Sequence, residues 1–503
     1  MAQLRKNIIA NFAGQGWAAL MQLVFIPVYI KFLGIEAYGL IGFYAVLQGI
    51  LQILDLGLSP TMTRELARYS ASAEKYNESR TFVRTLETIY WCIGLVIGVA
   101  IFFAAPFIAD QWLHATALSS ATVRTAIQLV GLIAALQWPL SFYQGGLFGL
   151  QRLVLLNAIK IGNSTVFACG AALVVIFLSR SIVAFFAWQA LVSALNVGVV
   201  TFSLWRSLPA SAKPPRFDRA ILRQVGGFAG GMTGVMITGI LLSQIDKVIL
   251  SKLLPLNEFG YYSLAYVLSN GLILVILPVT NALFPRFSVL VAAHDEHELS
   301  RLYHLGCQFT AVILFPIAAL LALFSHDVLW LWTGNPETSR NTFEIARFLV
   351  IGMALNGLMY PISALQQAKG WTSIGIYMNI LLIALIIPAI LLLLPVYGAL
   401  GAALAWMSVN MLYVALNVPS THRRILKGEG TRWIRKDIGF VLLSVLVVTG
   451  CVHFVVTGSL HSLSGLLTMC GVASLMFFAA LVAASELRPI AFSYLGKWLH
   501  PRT

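Results

Sequence analysis

About fourteen runs of some twenty mostly apolar residues follow one another along this 503-residue chain, and they fix its class of fold before any motif is read. A run of that length, wound as a helix, crosses the roughly 30 Å hydrocarbon core of a bilayer. No water reaches that core, so a spanning segment must satisfy its own backbone groups, as a helix does. Six runs lie near 8–33, 38–58, 84–107, 124–147, 154–178 and 182–205. Six more lie near 225–250, 259–284, 302–324, 343–367, 372–394 and 398–419, and a final pair near 438–456 and 463–484. Charged residues make up 10% of the chain, against roughly 25% in soluble proteins. The expected fold is therefore an all-α polytopic membrane protein of about 14 transmembrane helices. The first run carries Asn11, Gln15 and Gln22 and is too long for a cleaved signal peptide.

The formal net charge is +14, but Arg and Lys collect in alternate loops, densest at 64–84, 206–223 and 423–436. That is the positive-inside pattern with both termini cytoplasmic, and it leaves no nucleic-acid patch to explain. All five cysteines (Cys92, Cys169, Cys307, Cys451, Cys470) sit inside apolar segments without CxxC or His/Cys spacing, so no disulfide or metal framework is expected. The chain lacks GxxxxGK[ST], GxSxG and HExxH, which argues against ATP hydrolysis and against an enzyme. His294 and His297, in H-D-E-H-E, read as solvated. No cofactor is expected.

A duplication organises these helices. K-F-L-G-I-E-A-Y-G-L-I-G-F-Y-A-V-L, from Lys31, aligns with the stretch from Lys252 at a shift of 221, pairing Leu33 with Leu254, Gly39 with Gly260 and Val46 with Val267. W-P-L-S-F-Y-Q (138–144) matches Y-P-I-S-A-L-Q (360–366) at 222, and Trp188 matches Trp406 at 218. The expected organisation is a six-helix lobe at 1–206, a Pro- and Arg-rich cytoplasmic linker at 207–221 and a second six-helix lobe at 222–421. A linker, two added helices and a short tail complete it at 422–503. An even helix count per copy makes the repeats parallel, two lobes around a central cavity.

Polar residues spaced by 4, 7 or 11 share a helix face. Asn11, Gln15, Gln22 and Tyr29 form one stripe, and Tyr44, Gln48, Gln52 and Asp55 a second. Gln137, Ser141 and Gln144 form a third; Thr233, Gln244, Lys247 and Ser251 a fourth; Asn356, Tyr360, Ser363 and Gln367 a fifth. Two readings stand for such stripes: interhelical hydrogen bonds, or the wall of a polar cavity. Asp55, Lys160, Asp246 and Lys247 fall within the hydrocarbon half-thickness of about 15 Å, where charge is costly unless paired or wet. Arg64, Arg84, Arg152 and Arg286 lie near inner helix ends, as topology determinants or as an inner mouth attracting phosphate. Gly226, Gly227, Gly230, Gly231 and Gly234 suit close helix approach or bending, and Pro27, Pro139, Pro278 and Pro361 are kink candidates.

Five stretches carry a family resemblance: L-D-L-G-L-S-P-T-M-T-R-E-L-A from Leu54, D-K-V-I-L-S-K-L-L from Asp246, E-F-G-Y-Y-S-L-A from Glu258, L-F-P-R-F-S from Leu283 and L-W-T-G from Leu331. They resemble the polysaccharide-transport branch of the multidrug/oligosaccharidyl-lipid/polysaccharide exporter superfamily. The resemblance implies flipping of undecaprenyl-pyrophosphate-linked glycan units from the cytoplasmic to the outer leaflet of a bacterial inner membrane. Alternating access would drive that step, ahead of O-antigen or exopolysaccharide assembly. It further implies a lipid-linked oligosaccharide substrate and cationic cavity residues; the other partners expected are the phospholipid bilayer, glycan polymerase machinery and a coupling proton or sodium ion, which would act through Asp55 or Asp246. The competing reading is an ion-coupled multidrug exporter of the same superfamily, for which cationic drugs would favour more cavity carboxylates.

Overall fold

The structure, a computed structural model, describes residues 2–55, 58–70, 78–209, 214–219, 221, 233–455 and 463–499. The described residues form helices and no strand, and twelve of the helices are long and apolar enough to cross a membrane. Phe103, Phe177, Leu178 and Leu392 are each about three-quarters exposed on the helix exteriors, an arrangement that suits lipid and would be penalised in water. Gly226, Gly227, Gly230 and Gly231, the start of the expected seventh helix and part of the 207–221 linker lie outside the described residues.

The chain divides into two compact units, Met1–Gly260 and Tyr261–Thr503. The first contains α1 (Ala2–Leu33), α2 (Ile35–Leu51, continued by a tight turn at Gln52–Asp55), α3 (Leu58–Ser70), α4 (Ser79–Phe107), α5 (Ser120–Gly149), α6 (Leu153–Leu173), α7 (Ile182–Ser207) and α8 (Thr233–Leu253). The division falls inside α9 (Leu256–Ala292), whereas composition changes at 207–221. The reason is packing: α8 lies on α2, with the Gln244 side chain over Gly49. At the end of that contact, a Cβ on Gly39 would run into the Leu256 carbonyl, and one on Gly260 into the Ile35 carbonyl. Both pairs, Gly39 with Gly260 and Ile35 with Leu256, are related by the 221-residue shift. The two copies of the repeated stretch thus touch through the same glycine, where any side chain would hold the backbones apart.

α3 falls in the basic stretch expected to be a loop. Met62, Leu66 and Tyr69, at helical spacing, are buried, while Arg64 and Arg68 are exposed. Two glycines of α5 make room for it: a Cβ on Gly145 would stand 2.8 Å from the Ser59 carbonyl, and one on Gly149 would stand 2.5 Å from that of Thr63. The Thr63 hydroxyl donates to the Gly145 carbonyl at 3.0 Å. Asp55 fixes the start of α3, its carboxylate accepting from the Ser59 amide (3.2 Å), the Ser59 hydroxyl (2.7 Å) and the Tyr90 hydroxyl (2.7 Å), the usual work of an acid at a helix N-terminus.

The second unit holds the rest of α9, α10 (Glu296–Leu323), α11 (Ser325–Thr333), α12 (Pro336–Gly357), α13 (Met359–Ala368), α14 (Ser373–Tyr397), α15 (Ala399–Arg424), α16 (Phe440–Val455), α17 (Leu463–Ala483) and α18 (Leu487–Leu499). The span expected near 343–367 is interrupted at Leu358. Pro361 has no N–H to offer the Gly357 carbonyl four residues back, and the helix breaks there. α16 and α17 are fastened to α10 by a buried polar cluster. His304 Nδ1 contacts Asp437 Oδ2, and the Gln308 amide donates to Asp437 Oδ1 at 2.9 Å. Gln308 Oε1 accepts from the Glu486 amide at 2.8 Å.

Candidate substrate cavity

Six of the residues singled out by pattern converge on one cavity of about 850 Å³ in the first unit: Asn11, Gln15, Arg64, Ser141, Gln144 and Lys160. α1 supplies Asn11 and Gln15, four residues apart on one face. α3, seated on its glycine shelf, supplies Ser59, Thr63 and Arg64. α5 brings Ser141 and Gln144, α6 brings Asn157, Lys160 and Asn163, and α7 brings Asn196. Lys160 Nζ donates to Gln15 Oε1 at 2.5 Å, and the Trp17 indole donates to the Thr165 hydroxyl at 2.8 Å. These two bonds tie α1 to α6 across the cavity wall. Among the described residues, two cations and no carboxylate line it. The rest of the wall mixes apolar surface from Pro60, Phe148, Leu156, Ile159 and Val200 with amides and hydroxyls, which offer donors and acceptors together and suit a polyhydroxylated guest carrying negative charge. The volume is that of an ordinary ligand site.

Other stripe residues do different work. Gln137 bridges two helices, accepting from the Tyr44 hydroxyl and donating to the Ser193 hydroxyl, both at 2.9 Å. Gln48 is half-buried, Gln22 and Gln52 are exposed, and none of the three lines the cavity. Asp55 caps α3. Gln244 packs on Gly49. Asp246 and Lys247 are buried at 1% and 6% exposure and pair with each other at 3.1 Å, and Lys247 Nζ donates to the Ser243 carbonyl at 2.6 Å. In the second unit the Asn356 amide donates to Asn410 Oδ1 at 2.8 Å, while Tyr360 and Ser363 are half-buried. Of the expected inner-mouth arginines, Arg64 lines the cavity and Arg84 pairs with Glu87 at 2.8 Å. Arg152 is exposed where α6 begins, and Arg286 is exposed on α9.

Pattern reading missed Ser59, Thr63, Asn157, Asn163 and Asn196. A signal existed for two of them: Asn157 and Asn163 lie three residues either side of Lys160, at spacings that share its face.

The duplication makes the cavity's chemistry clearer. Gln144 corresponds, at a shift of 222, to Gln366, and the helix that carries Asn196 corresponds to the one that carries Asn417. In the second unit that pair is sealed, Gln366 Nε2 donating to Asn417 Oδ1 at 2.8 Å with both residues buried. Lys160 corresponds to Leu381 or Leu382 and Asn163 to Ala384 or Leu385, all apolar. In these positions the first copy is polar and open, and its counterpart is apolar or closed.

Fold and site together define a multi-pass helical membrane carrier with a cationic, amide-lined chamber. The family model described as "Polysaccharide biosynthesis protein" matches residues 4–291, more than half the chain, and the chain belongs to that family of transporters, which are not catalysts. A second model, MatE, matches residues 232–394. A Shigella flexneri protein described as an O-antigen transporter is 23% identical over 412 residues, covering 82% of this chain and 96% of the relative. Among solved structures, the lipid II flippase MurJ in an inward closed conformation superposes with a TM-score of 0.71 at 14% identity, covering 94% of this chain and 97% of that one. An inward-facing multidrug resistance MATE transporter of the MOP superfamily gives 0.68 at 14% identity, covering 81% and 94%. These likenesses support the expected fold class.

Proposed function

We propose that this protein flips polyprenyl-pyrophosphate-linked glycan units, undecaprenyl-linked in a bacterial inner membrane, from the cytoplasmic to the opposite leaflet for O-antigen or exopolysaccharide assembly. The observation that carries the reading is the lining of the first-unit cavity: amides and hydroxyls for sugar, Arg64 and Lys160 for the pyrophosphate, and no acid among the described residues. A charged sugar headgroup cannot cross bare hydrocarbon at an acceptable rate, and this chamber offers the polar contacts that replace its water. The relative described as an O-antigen transporter and the fold shared with a lipid II flippase support the same substrate class. Alternating access is the natural mechanism for two lobes, 1–206 and 222–421, with both termini cytoplasmic. A coupling proton or sodium ion would supply direction, and a glycan polymerase would receive the product. The multidrug-exporter reading is weaker because organic cations would meet Arg64 and Lys160 and no carboxylate.

Cells lacking the protein should accumulate lipid-linked glycan on the cytoplasmic face, with recovery when the wild-type chain returns. Unchanged surface glycan without such accumulation would end the proposal.

A further inference from the structure

A second hollow of about 890 Å³ lies between α4, α5 and α7, on the far side of α5 and α7 from the polar cavity. Ser141, Gln144, Asn196 and Val200 face the cavity, whereas Tyr143, Val197 and Thr201 face the second hollow. The same two helices therefore wall off one space from the other.

The hollow is polar at one end and apolar at the other. At the polar end, Glu87 is buried, with Oε1 accepting from the Tyr143 hydroxyl (2.6 Å) and the Trp205 indole (3.1 Å). Its Oε2 accepts from Arg84 at 2.8 Å, and the Arg84 side chain stays 55% exposed. Outside the lining itself, one turn before Arg84 on α4, the Arg80 guanidinium sits 5.9 Å over the ring of the lining residue Trp205, its Nε buried without a hydrogen-bond partner. Arg80, Arg84 and Glu87 leave a net charge of one positive. Eleven residues along α4, about 16 Å at 1.5 Å each, separate Arg84 from Leu95, close to half the thickness of the hydrocarbon core. Over that distance the lining turns to Trp91, Leu95 and Phe202, and at Gly198 an added Cβ would meet nothing within 4 Å.

We infer that this hollow is a binding site for an anionic glycerophospholipid of the leaflet nearer the 207–221 linker. Its phosphate rests on Arg80 and Arg84, and one acyl chain lies along Trp91, Leu95 and Phe202 over Gly198. Glu87 takes no part in contacting the lipid: held by Tyr143 and Trp205, it aims the Arg84 guanidinium, as a paired carboxylate does. The wall of α5 and α7 keeps this lipid apart from whatever occupies the polar cavity, so the inference does not depend on the proposed function.

The test is native mass spectrometry of the full chain in detergent, titrated with palmitoyl-oleoyl phosphatidylglycerol. Parallel titrations use phosphatidylcholine of the same chains, the matching diacylglycerol and inorganic phosphate. The wild type should retain a one-to-one phosphatidylglycerol adduct at least tenfold more tightly than the other three probes. Arg80→Gln with Arg84→Gln should remove that preference. Gly198→Leu, which fills the groove without changing charge and has open space around it, should remove the adduct while leaving the melting temperature in place. Equal retention of phosphatidylcholine or diacylglycerol by the wild type overturns the assignment, as does an undiminished adduct in Gly198→Leu. Binding of inorganic phosphate at the same strength would show an anion site with no acyl groove, also overturning it.

Discussion

Lys160 is the side chain on which the cavity's chemistry is most exposed to test. It is half-buried, reaches Gln15 at 2.5 Å and shares the lining with a single other cation, Arg64. A unit charge pair about 4 Å apart is worth about 4 kcal/mol at the effective dielectric of partly wet protein, an upper bound before desolvation is charged against it. Hydrogen bonds to charged groups, measured net, contribute about 1.5–3 kcal/mol. At 1.4 kcal/mol per decade, Lys160→Gln should weaken binding of a pyrophosphate-linked glycan about ten- to a hundredfold. Lys160→Arg should recover most of the loss, and Gln15→Leu, which removes a neutral partner, should lose less than tenfold. The assay is microscale binding of a purified lipid-linked pyrophosphate oligosaccharide to the full chain in nanodiscs, repeated at raised salt, where the wild-type advantage should shrink. Equal affinity for wild type and Lys160→Gln, with folding matched, would refute the assignment of the pyrophosphate to this cavity.

Three further outcomes follow from the same geometry. Lys247→Ala removes the buried ion-pair partner of Asp246 and should destabilise the protein by about 3–5 kcal/mol, seen as lost expression and a lowered melting temperature; a well-folded variant with a selective transport defect would contradict this. Asp437→Ala removes the carboxylate that His304 and Gln308 share and should cost a similar amount, measured by denaturation in detergent, with Asp437→Asn costing less because it keeps one acceptor. A cysteine at Ser141 should react with a small polar thiol reagent far faster than one at Gln137, which bridges Tyr44 and Ser193, or at the lipid-exposed Leu392; equal rates at Ser141 and Leu392 would mean the cavity is dry.

Much of the fold was legible because a bilayer leaves few options: apolar length gives the helices, twelve of which among the described residues could cross it, while the recurrence of K-F-L-G against K-L-L-P is a signal in the sequence alone. What periodicity cannot supply is the identity of the opposing surface. Asn11 with Gln15 and Gln137 with Ser141 look alike as helical stripes. Yet Gln137 meets Tyr44 and Ser193, and its neighbour Ser141, four residues on, opens into the cavity. α3 was hidden by its arginines, which read as a basic loop until Met62, Leu66 and Tyr69 are seen against the glycines of α5. Asp246 and Lys247 could be read from the sequence either as a neutralising pair or as wet cavity charge; they form a buried pair, with Lys247 also donating to the Ser243 carbonyl. The sealed cluster of His304, Asp437 and Gln308 had no local signal, since its members lie 133 and 129 positions apart.

The repeated sequence and the chemistry that differs between its two copies have to be read together. Repetition sets Gly39 against Gly260 and gives each copy a glutamine and an asparagine on corresponding helices. In the second copy these two amides satisfy each other and Thr421, Gln366 Nε2 donating to its hydroxyl at 2.7 Å, so they cost little to bury and bind nothing else. In the first copy Gln144 and Asn196 line open space beside Lys160, whose counterpart position carries leucine. Polar groups facing a cavity gain their partners from water or from a guest, and a cation among them favours an anionic guest.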